Sequence, residues 1–551
     1  MEQLIITSKN CAKNCADKDR KKSIFAKVLF ISIFLLTSFS VFSQTEELYK
    51  LQSTLNYIQS FYVDTVNQSQ LVDEAIIAML KQLDPHSVYI PAEDVEAVNQ
   101  PLLGSFNGVG IQYNVLNDTI LVVKTIKGGP SEAVGLRAGD RVIYIEGELV
   151  AGVGITTEKI KALLMGQTGT DVELSVVRNE SKELMDYVVT RNKVPIYSLD
   201  AAYMIDNEIG YIKINKFSLT TVDEFRVAIG RLKKQGLQNL ILDLRGNGGG
   251  YLHIATQLAD EFLESGKLIV YTEGVRSPRN ETYASGRGEF EQGKLVVLID
   301  EGSASASEIV TGAIQDWDRG IVIGRRSFGK GLVQQPYTLN DGSLIRLTIA
   351  RYYTPSGRLI QKPYDEGYEN YNLDLANRAT NGEMQNSDSI HFNDSLVFFT
   401  KLNHRLVFGG GGIMPDIFVP QDSIFNSEIL LQLIEKEIIS SFSLQYADAN
   451  RNMFDQKFKY ANNFISQFSV NEEIIQSFFQ FTKNKYNIEI NSENIASVEA
   501  YLKCNIKALI ANNLWELSDY YEVLNTSSEA YLKAVEVLKS EALYHQKLAT
   551  Y

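Results

Sequence analysis

The chain is long at 551 residues, yet it holds only three cysteines, five histidines, two tryptophans and eleven prolines. Cys11 and Cys15 lie near the amino terminus and Cys504 near the other end. Once the first 43 residues are removed, a single thiol remains and an intramolecular disulfide is excluded. No histidines and cysteines cluster at metal-ligand spacing, so neither a metal nor another cofactor is expected. Basic charge is also scarce, with 53 Lys and Arg against 67 Asp and Glu, a net charge of −14. That balance argues against a nucleic-acid partner, which needs a basic face. Long apolar runs are missing too, apart from Val28–Phe42, which follows Lys21, Lys22 and Lys27. Its 15 residues are short for a bilayer span. With Val41-Phe-Ser43 behind it, residues 1–43 read as a secretory signal peptide cut after Ser43, an uncleaved anchor being the alternative.

What is present is a block of chemistry in the middle of the chain, Leu295–Gln335. Leu295–Ile299 is continuously apolar between Gly293 and Asp300, the pattern of a strand covered on both faces. Ser303, Ser305 and Ser307 alternate with alanines and run into Glu308, a serine cap with an acid in the first helical turn. A serine there sits beside the free amides and positive dipole end of a helix. Lys330 follows in Ser-Phe-Gly-Lys-Gly, with Gln334 four residues on. Serine becomes nucleophilic when a neighbouring base takes its proton, and a lysine held neutral is such a base. Lowering a lysine from about 10.4 to about 7–8 costs roughly 3–5 kcal/mol, so the amine must be kept buried. Phe328, Leu332 and Val333 are available to desolvate it. In an extended chain Gln334 shares a face with Lys330 and is placed to orient the amine.

Two competing readings use the same residues. Gly324 to Lys330 fits the first seven positions of a phosphate-binding loop, but Gly331 stands where Ser or Thr is required and the following LVQQPYTL reads as extended. Upstream, Asp243-Leu-Arg245-Gly-Asn-Gly-Gly-Gly250 ends a buried strand and opens a helix, an anion site without a lysine of its own. His253 follows it closely, so Ser305, His253 and Asp243 form an alternative triad.

The Leu295–Gln335 block resembles the active-site segment of the carboxyl-terminal processing (tail-specific) proteases, serine peptidases with a Ser–Lys dyad. The resemblance implies Ser305 as nucleophile, Lys330 as general base and Gln334 as the residue that positions it. It further implies oxyanion donors in the amides of Ala306 and Gly249, with Gly248 or Gly250 as alternatives to the latter. Each such donor contributes roughly 3–4 kcal/mol to the transition state. Asp243 and Arg245 are read as a structural pair.

The remaining chain divides around this block. Residues 45–98 read as helical, with Leu71, Ala75, Ile76, Leu80 and Leu83 on one face and a stop at Asp84-Pro85. His86, in an LDPHS segment that the same family carries, is read as a capping or packing residue. Residues 99–192 resemble a PDZ domain, on Gly104-Ser-Phe-Asn-Gly108-Val-Gly110-Ile111, the later GLRAGD segment and the helix Thr157–Leu164. By that resemblance Phe106, Gly108, Val109, Gly110 and Ile111 form the loop that takes a peptide carboxylate, preferring free apolar C-termini. Residues 193–422 are read as the protease core, closed by a YYTPSGR run that the family shares. Within them 363–395 is polar and aperiodic, an expected mobile excursion. Residues 423–551 carry amphipathic helices and are expected to pack on the core, associate with a second copy or hold an adaptor.

The fold class is therefore a mixed α/β (α+β) multidomain chain: helical segment, β-rich PDZ domain, α/β protease core, helical extension. The implied function is that of an exported, periplasmic or cell-envelope serine endopeptidase acting on protein tails. The alternative is a catalytically inactive PDZ scaffold that binds protein C-termini without cutting them.

Overall fold

A computed structural model of the protein describes residues 46–178, 183–391, 394–490 and 495–549. The expected signal peptide and its cut after Ser43 lie outside them. Of these described residues, those up to Gln82 form one compact unit and those from Leu83 a second. The first is helical over 46–61 and Gln68–Lys81, where Asn67 caps the second helix by accepting the Gln70 N–H.

The second unit is built on a six-stranded sheet in the order Leu199–Met204, Ile209–Ile214, Asn239–Asp243, Leu295–Ile299, Ile321–Gly324, Ile417–Phe418. The first pair is antiparallel and the remaining four pairings are parallel. Both faces are covered, which is why Leu295–Ile299 is apolar throughout instead of alternating. On one face lie the helices Thr221–Lys234, Leu252–Asp260 and Ala306–Asp316. On the other lie Ala530, Tyr531, Ala534, Val537, Leu538 and Tyr544 of the two last helices, packed on Tyr211, Ile241, Val296 and Leu298. The end of the helical extension thus completes the core sheet. A second, antiparallel sheet runs Val88–Ile90, Leu344–Tyr353, Leu268–Gly274, Ser277–Tyr283, with Leu332–Thr338 also paired to Leu344–Tyr353.

The β-rich module has its own core around Val109, Ile120, Val122, Val142, Ile160 and Val172. Its Ile111–Val115 strand is one edge of the sheet, and the Thr157–Leu164 helix spans the expected residues. The entry strand Ser105–Gly108 pairs with Asn192–Pro195, so the module closes a few residues beyond 192. Its outer sheet face is also covered: Leu116, Leu121 and Val123 cluster with Leu444 of the extension, and Arg141 pairs with Asp448. Lys124 Nζ donates to Trp515 O at 3.2 Å.

The 363–395 stretch differs from expectation. It carries a helix, Tyr368–Thr380, with Tyr371 and Arg378 buried. Its packed side chains are a phenol and ionic groups, so apolar periodicity gave no sign of it.

Candidate active site

The loops at the carboxyl ends of neighbouring parallel strands are zipped together. Asp300 Oδ1 accepts the N–H of Gly246 (2.8 Å) and of Gly302 (3.0 Å). Asn247 O accepts the Ala304 N–H at 3.0 Å and the Ser307 hydroxyl at 2.8 Å. Ser305 therefore sits on a held turn, at φ 55° and ψ −109°, directly before the Ala306–Asp316 helix. A non-glycine residue at positive φ costs about 1–3 kcal/mol, and such strain is found where a strand-to-helix turn must present a nucleophile. Gly249 faces it: a Cβ there would lie 2.9 Å from Ser305 Cβ and 3.1 Å from Ala306 N, at φ +105°. Only glycine fits. The Gly249 N–H, however, donates to Asn247 Oδ1 at 2.9 Å, so the expected oxyanion donor is already engaged. Gly250 lies against Phe217, whose carbonyl oxygen a Cβ would meet at 2.1 Å, whereas nothing lies within 4 Å of a Cβ on Gly248.

Lys330 lies at the end of the 325–331 loop, ahead of the Leu332–Thr338 strand. One carboxylate connects it to the serine. Glu308, 1% exposed, accepts the Ser305 N–H (2.7 Å) and the Lys330 N–H (2.9 Å) on Oε2. On Oε1 it accepts the Gly329 N–H (2.7 Å) and the Ser327 hydroxyl (2.6 Å). Beyond them Tyr352, also buried, donates its hydroxyl to Ser305 O at 3.0 Å and to Lys330 O. Two distant backbones are thus held on shared partners. No hydrogen bond joins Ser305 Oγ to Lys330 Nζ among those of the described residues.

Burial pushes the Lys330 amine below the ordinary lysine range, and Arg346 adds to this while Glu308 and Asp84 oppose it. Burial likewise raises Glu308, against the four donors that favour its ionised form. Gln334 reaches elsewhere than expected. Its Nε2 donates to Thr348 Oγ1 at 3.3 Å, and that hydroxyl donates to Asp84 Oδ1 at 3.0 Å. The cause is a register shift between Val333 and Gln334, which breaks the alternation on which a shared face depended.

His86 is a packing residue, one of the two roles expected, but the neighbourhood it packs in was not legible in the sequence. It packs against Phe328 and Tyr371, and its Nε2 lies 2.7 Å from the Tyr371 hydroxyl. Burial, with Lys330 next, lowers it to about 4, so it is neutral at pH 7. The LDPHS segment was visible, but its approach to the 325–331 loop is a tertiary fact. The other histidine scheme is not assembled: His253 is exposed, its ring tilted beside that of Tyr251. Asp243 is taken by Arg245 and Tyr211, and though burial pushes it up, Arg245 and Lys213 hold it well below the carboxylate range. Nor is there a phosphate cradle, because the Gly329 and Lys330 amides face a carboxylate and a strand follows.

In the β-rich module, Val109 O accepts the Ser131 N–H (3.0 Å) and hydroxyl (2.6 Å), and Gly110 O accepts the Ile126 N–H (2.9 Å). In a trans peptide the N–H opposes the C=O, so the Gly110 and Ile111 amides turn the other way, beside the free strand edge. Gly110 manages this turn at φ +77°.

Residues 208–367 match Peptidase family S41 and residues 108–188 match the PDZ domain. Residues 35–94 match the activating protease CtpB N-terminal domain, and 429–516 match a family of unknown function, DUF8443. A "Probable CtpA-like serine protease" of Staphylococcus aureus (strain MRSA252) is 33% identical over 332 residues, 60% of this chain and 66% of that protein's length. A "Carboxy-terminal-processing protease" of Bartonella bacilliformis is 32% identical over 387 residues, 65% of this chain and 88% of that one. Among solved structures, a photosystem II D1 C-terminal processing protease is 31% identical, covering 57% of this chain and 83% of its own, with a TM-score of 0.34. The chain belongs to the family of carboxy-terminal-processing serine proteases.

Proposed function

We propose that the protein is an exported serine endopeptidase that catches the apolar C-terminal tail of a protein on its PDZ module and hydrolyses peptide bonds with a Ser305–Lys330 dyad. The observation that carries this is the common anchoring of both residues on Glu308 and Tyr352. Lys330, kept below the usual lysine range, takes the Ser305 proton as Oγ attacks the scissile carbonyl, then returns it to the leaving amine. Water hydrolyses the acyl-enzyme. The reacting pair closes to hydrogen-bond distance when substrate binds, since such contacts are commonly long in the free enzyme. The Ala306 amide, at the start of its helix, is one oxyanion donor, and Gly248 is the other in place of Gly249. Phe106, Gly108, Val109, Gly110 and Ile111 take the tail carboxylate, and the tail adds to the Ile111–Val115 edge. Gln334 acts on the base at one remove, through Thr348 and Asp84. Its place is the periplasm or cell envelope, and the reaction needs no cofactor.

The test is cleavage of an unfolded protein with a free apolar tail by wild type, Ser305→Ala and Lys330→Ala. Both variants lose turnover while still binding the tail peptide. Binding without cleavage by the wild type would establish a PDZ scaffold instead.

A further inference from the structure

The match to the peptidase family ends at residue 367, and the helix that grips the base loop begins at Tyr368. Arg378, with its side chain 3% exposed, donates Nη1 to Ser327 O at 2.9 Å and Nη2 to Phe328 O at 3.1 Å. These are the carbonyls just ahead of Gly329 and Lys330. Asp374, one turn earlier, pairs with Arg378 at 3.0 Å and with Lys362 at 2.9 Å. Lys362 lies between the Phe328 and Tyr371 rings, 4.1 and 4.0 Å from their centroids. Glu383, just past the helix, pairs with Arg326 at the front of the same loop. The loop is therefore held at its front, its middle and, through Tyr371 and His86, along its side.

We propose that the Tyr368–Thr380 helix is a positioning element for the general base, with Arg378 as its principal residue. It fixes the Ser327–Gly329 backbone so that the Lys330 amine stays out of water on the serine's side of the loop. This rests on the Ser305–Lys330 reading and adds to it an element from outside the matched peptidase segment. The charged groups facing Lys330 are Glu308, Asp84, His86 and Arg346; those facing Arg378 are Asp374, Glu383, Glu301, Arg326 and Lys362. Without the guanidinium, the buried Ser327 carbonyl and the partly buried Phe328 carbonyl lose their donor and the loop relaxes toward solvent. A displacement of about 1 Å in a catalytic group is enough for a rate loss on the order of 10²-fold. A wetter amine also titrates higher, so the loss is greatest at low pH and recovers as pH rises.

The experiment measures kcat and KM on the tailed substrate across the neutral to alkaline range for the full chain, Arg378→Ala and Arg378→Lys. Arg405→Lys is the control, a buried arginine paired with Asp318 and Asp416 away from the loop. For Arg378→Ala, kcat at neutral pH falls on the order of 10²-fold, KM holds, and the acid limb of the profile moves to higher pH. Arg378→Lys reaches one carbonyl and recovers part of the loss. Arg405→Lys lowers Tm without moving the limb. Should neither Arg378 variant fold, Tyr371→Phe keeps the ring, loses the hydroxyl contact to His86, and must shift the limb in the same direction. An unmoved limb in the folded variants, or in Tyr371→Phe where they do not fold, overturns the proposal. If wild type does not cut, or Ser305→Ala still does, it is the dyad reading that fails.

Discussion

The backbone amides of Ser305 and Lys330, 25 positions apart, donate to the same oxygen of Glu308, at 2.7 and 2.9 Å. The proposed nucleophile and base are thereby set in one frame before either side chain acts. Glu308→Gln keeps the shape but puts an amide where a carboxylate accepts four donors. We expect kcat/KM to fall at least about tenfold, as for other lost positioning contacts. The nearby negative charge favours protonated Lys330, so its removal moves the acid limb to lower pH, opposite to the Arg378 variants. A pH–rate profile distinguishes the two.

Lys330 carries a stability cost with a definite pH signature. Its folded-state value lies below its unfolded one, chiefly through burial, so the unfolded chain binds the proton more readily. That cost is fully present below the folded value and disappears as pH rises toward the unfolded value. Lys330→Met should be inactive yet melt higher than wild type at neutral pH, with the advantage shrinking in alkaline buffer. Thermal melts at several pH values test this; a lower Tm for the variant at neutral pH would contradict a desolvated amine.

His86 works in the acid range. With its value lowered from 6.5 to about 4, the folded state resists the proton that the unfolded chain accepts. Stability from this group falls as pH drops through that window, by up to roughly 3 kcal/mol. Denaturant titrations should show the fall in wild type and a smaller one in His86→Gln.

The outer face of the PDZ sheet rests on one apolar residue of the helical extension, Leu444, 3% exposed among Leu116, Leu121 and Val123. Leu444→Ala should cost about 2–4 kcal/mol through the cavity it leaves. The Arg141–Asp448 pair beside it is partly exposed, and a double-mutant cycle should return only about 0.5–1 kcal/mol. Urea unfolding of the four variants separates these contributions.

Much of the site was legible because its residues are local. Strand, serine turn and capping acid follow one another in the chain, so the apolar run marked the Leu295–Ile299 strand and the serine–alanine alternation ending at Glu308 marked the helix start, while the family resemblance chose Ser305 among the three serines and pointed to the Thr157–Leu164 helix. What depended on long-range pairing was less readable. The Val333–Gln334 register shift turned Gln334 toward Thr348, a displacement that no alternation pattern contains. The Gly249 amide was lost to a side chain two residues away, a choice made by loop conformation. The Tyr368–Thr380 helix went unread because it is fixed by a phenol, a carboxylate and a guanidinium, which look like solvent-exposed residues until their partners are known.

That helix also sets how the enzyme can be idled. With Arg378 replaced in the full chain, the Ser305 and Lys330 side chains of the proposed dyad would both remain, yet the lysine would sit on an unbraced loop and hold its proton at neutral pH. Such a variant would bind its target and turn over slowly, a capture reagent made by one substitution, with alkaline buffer restoring release.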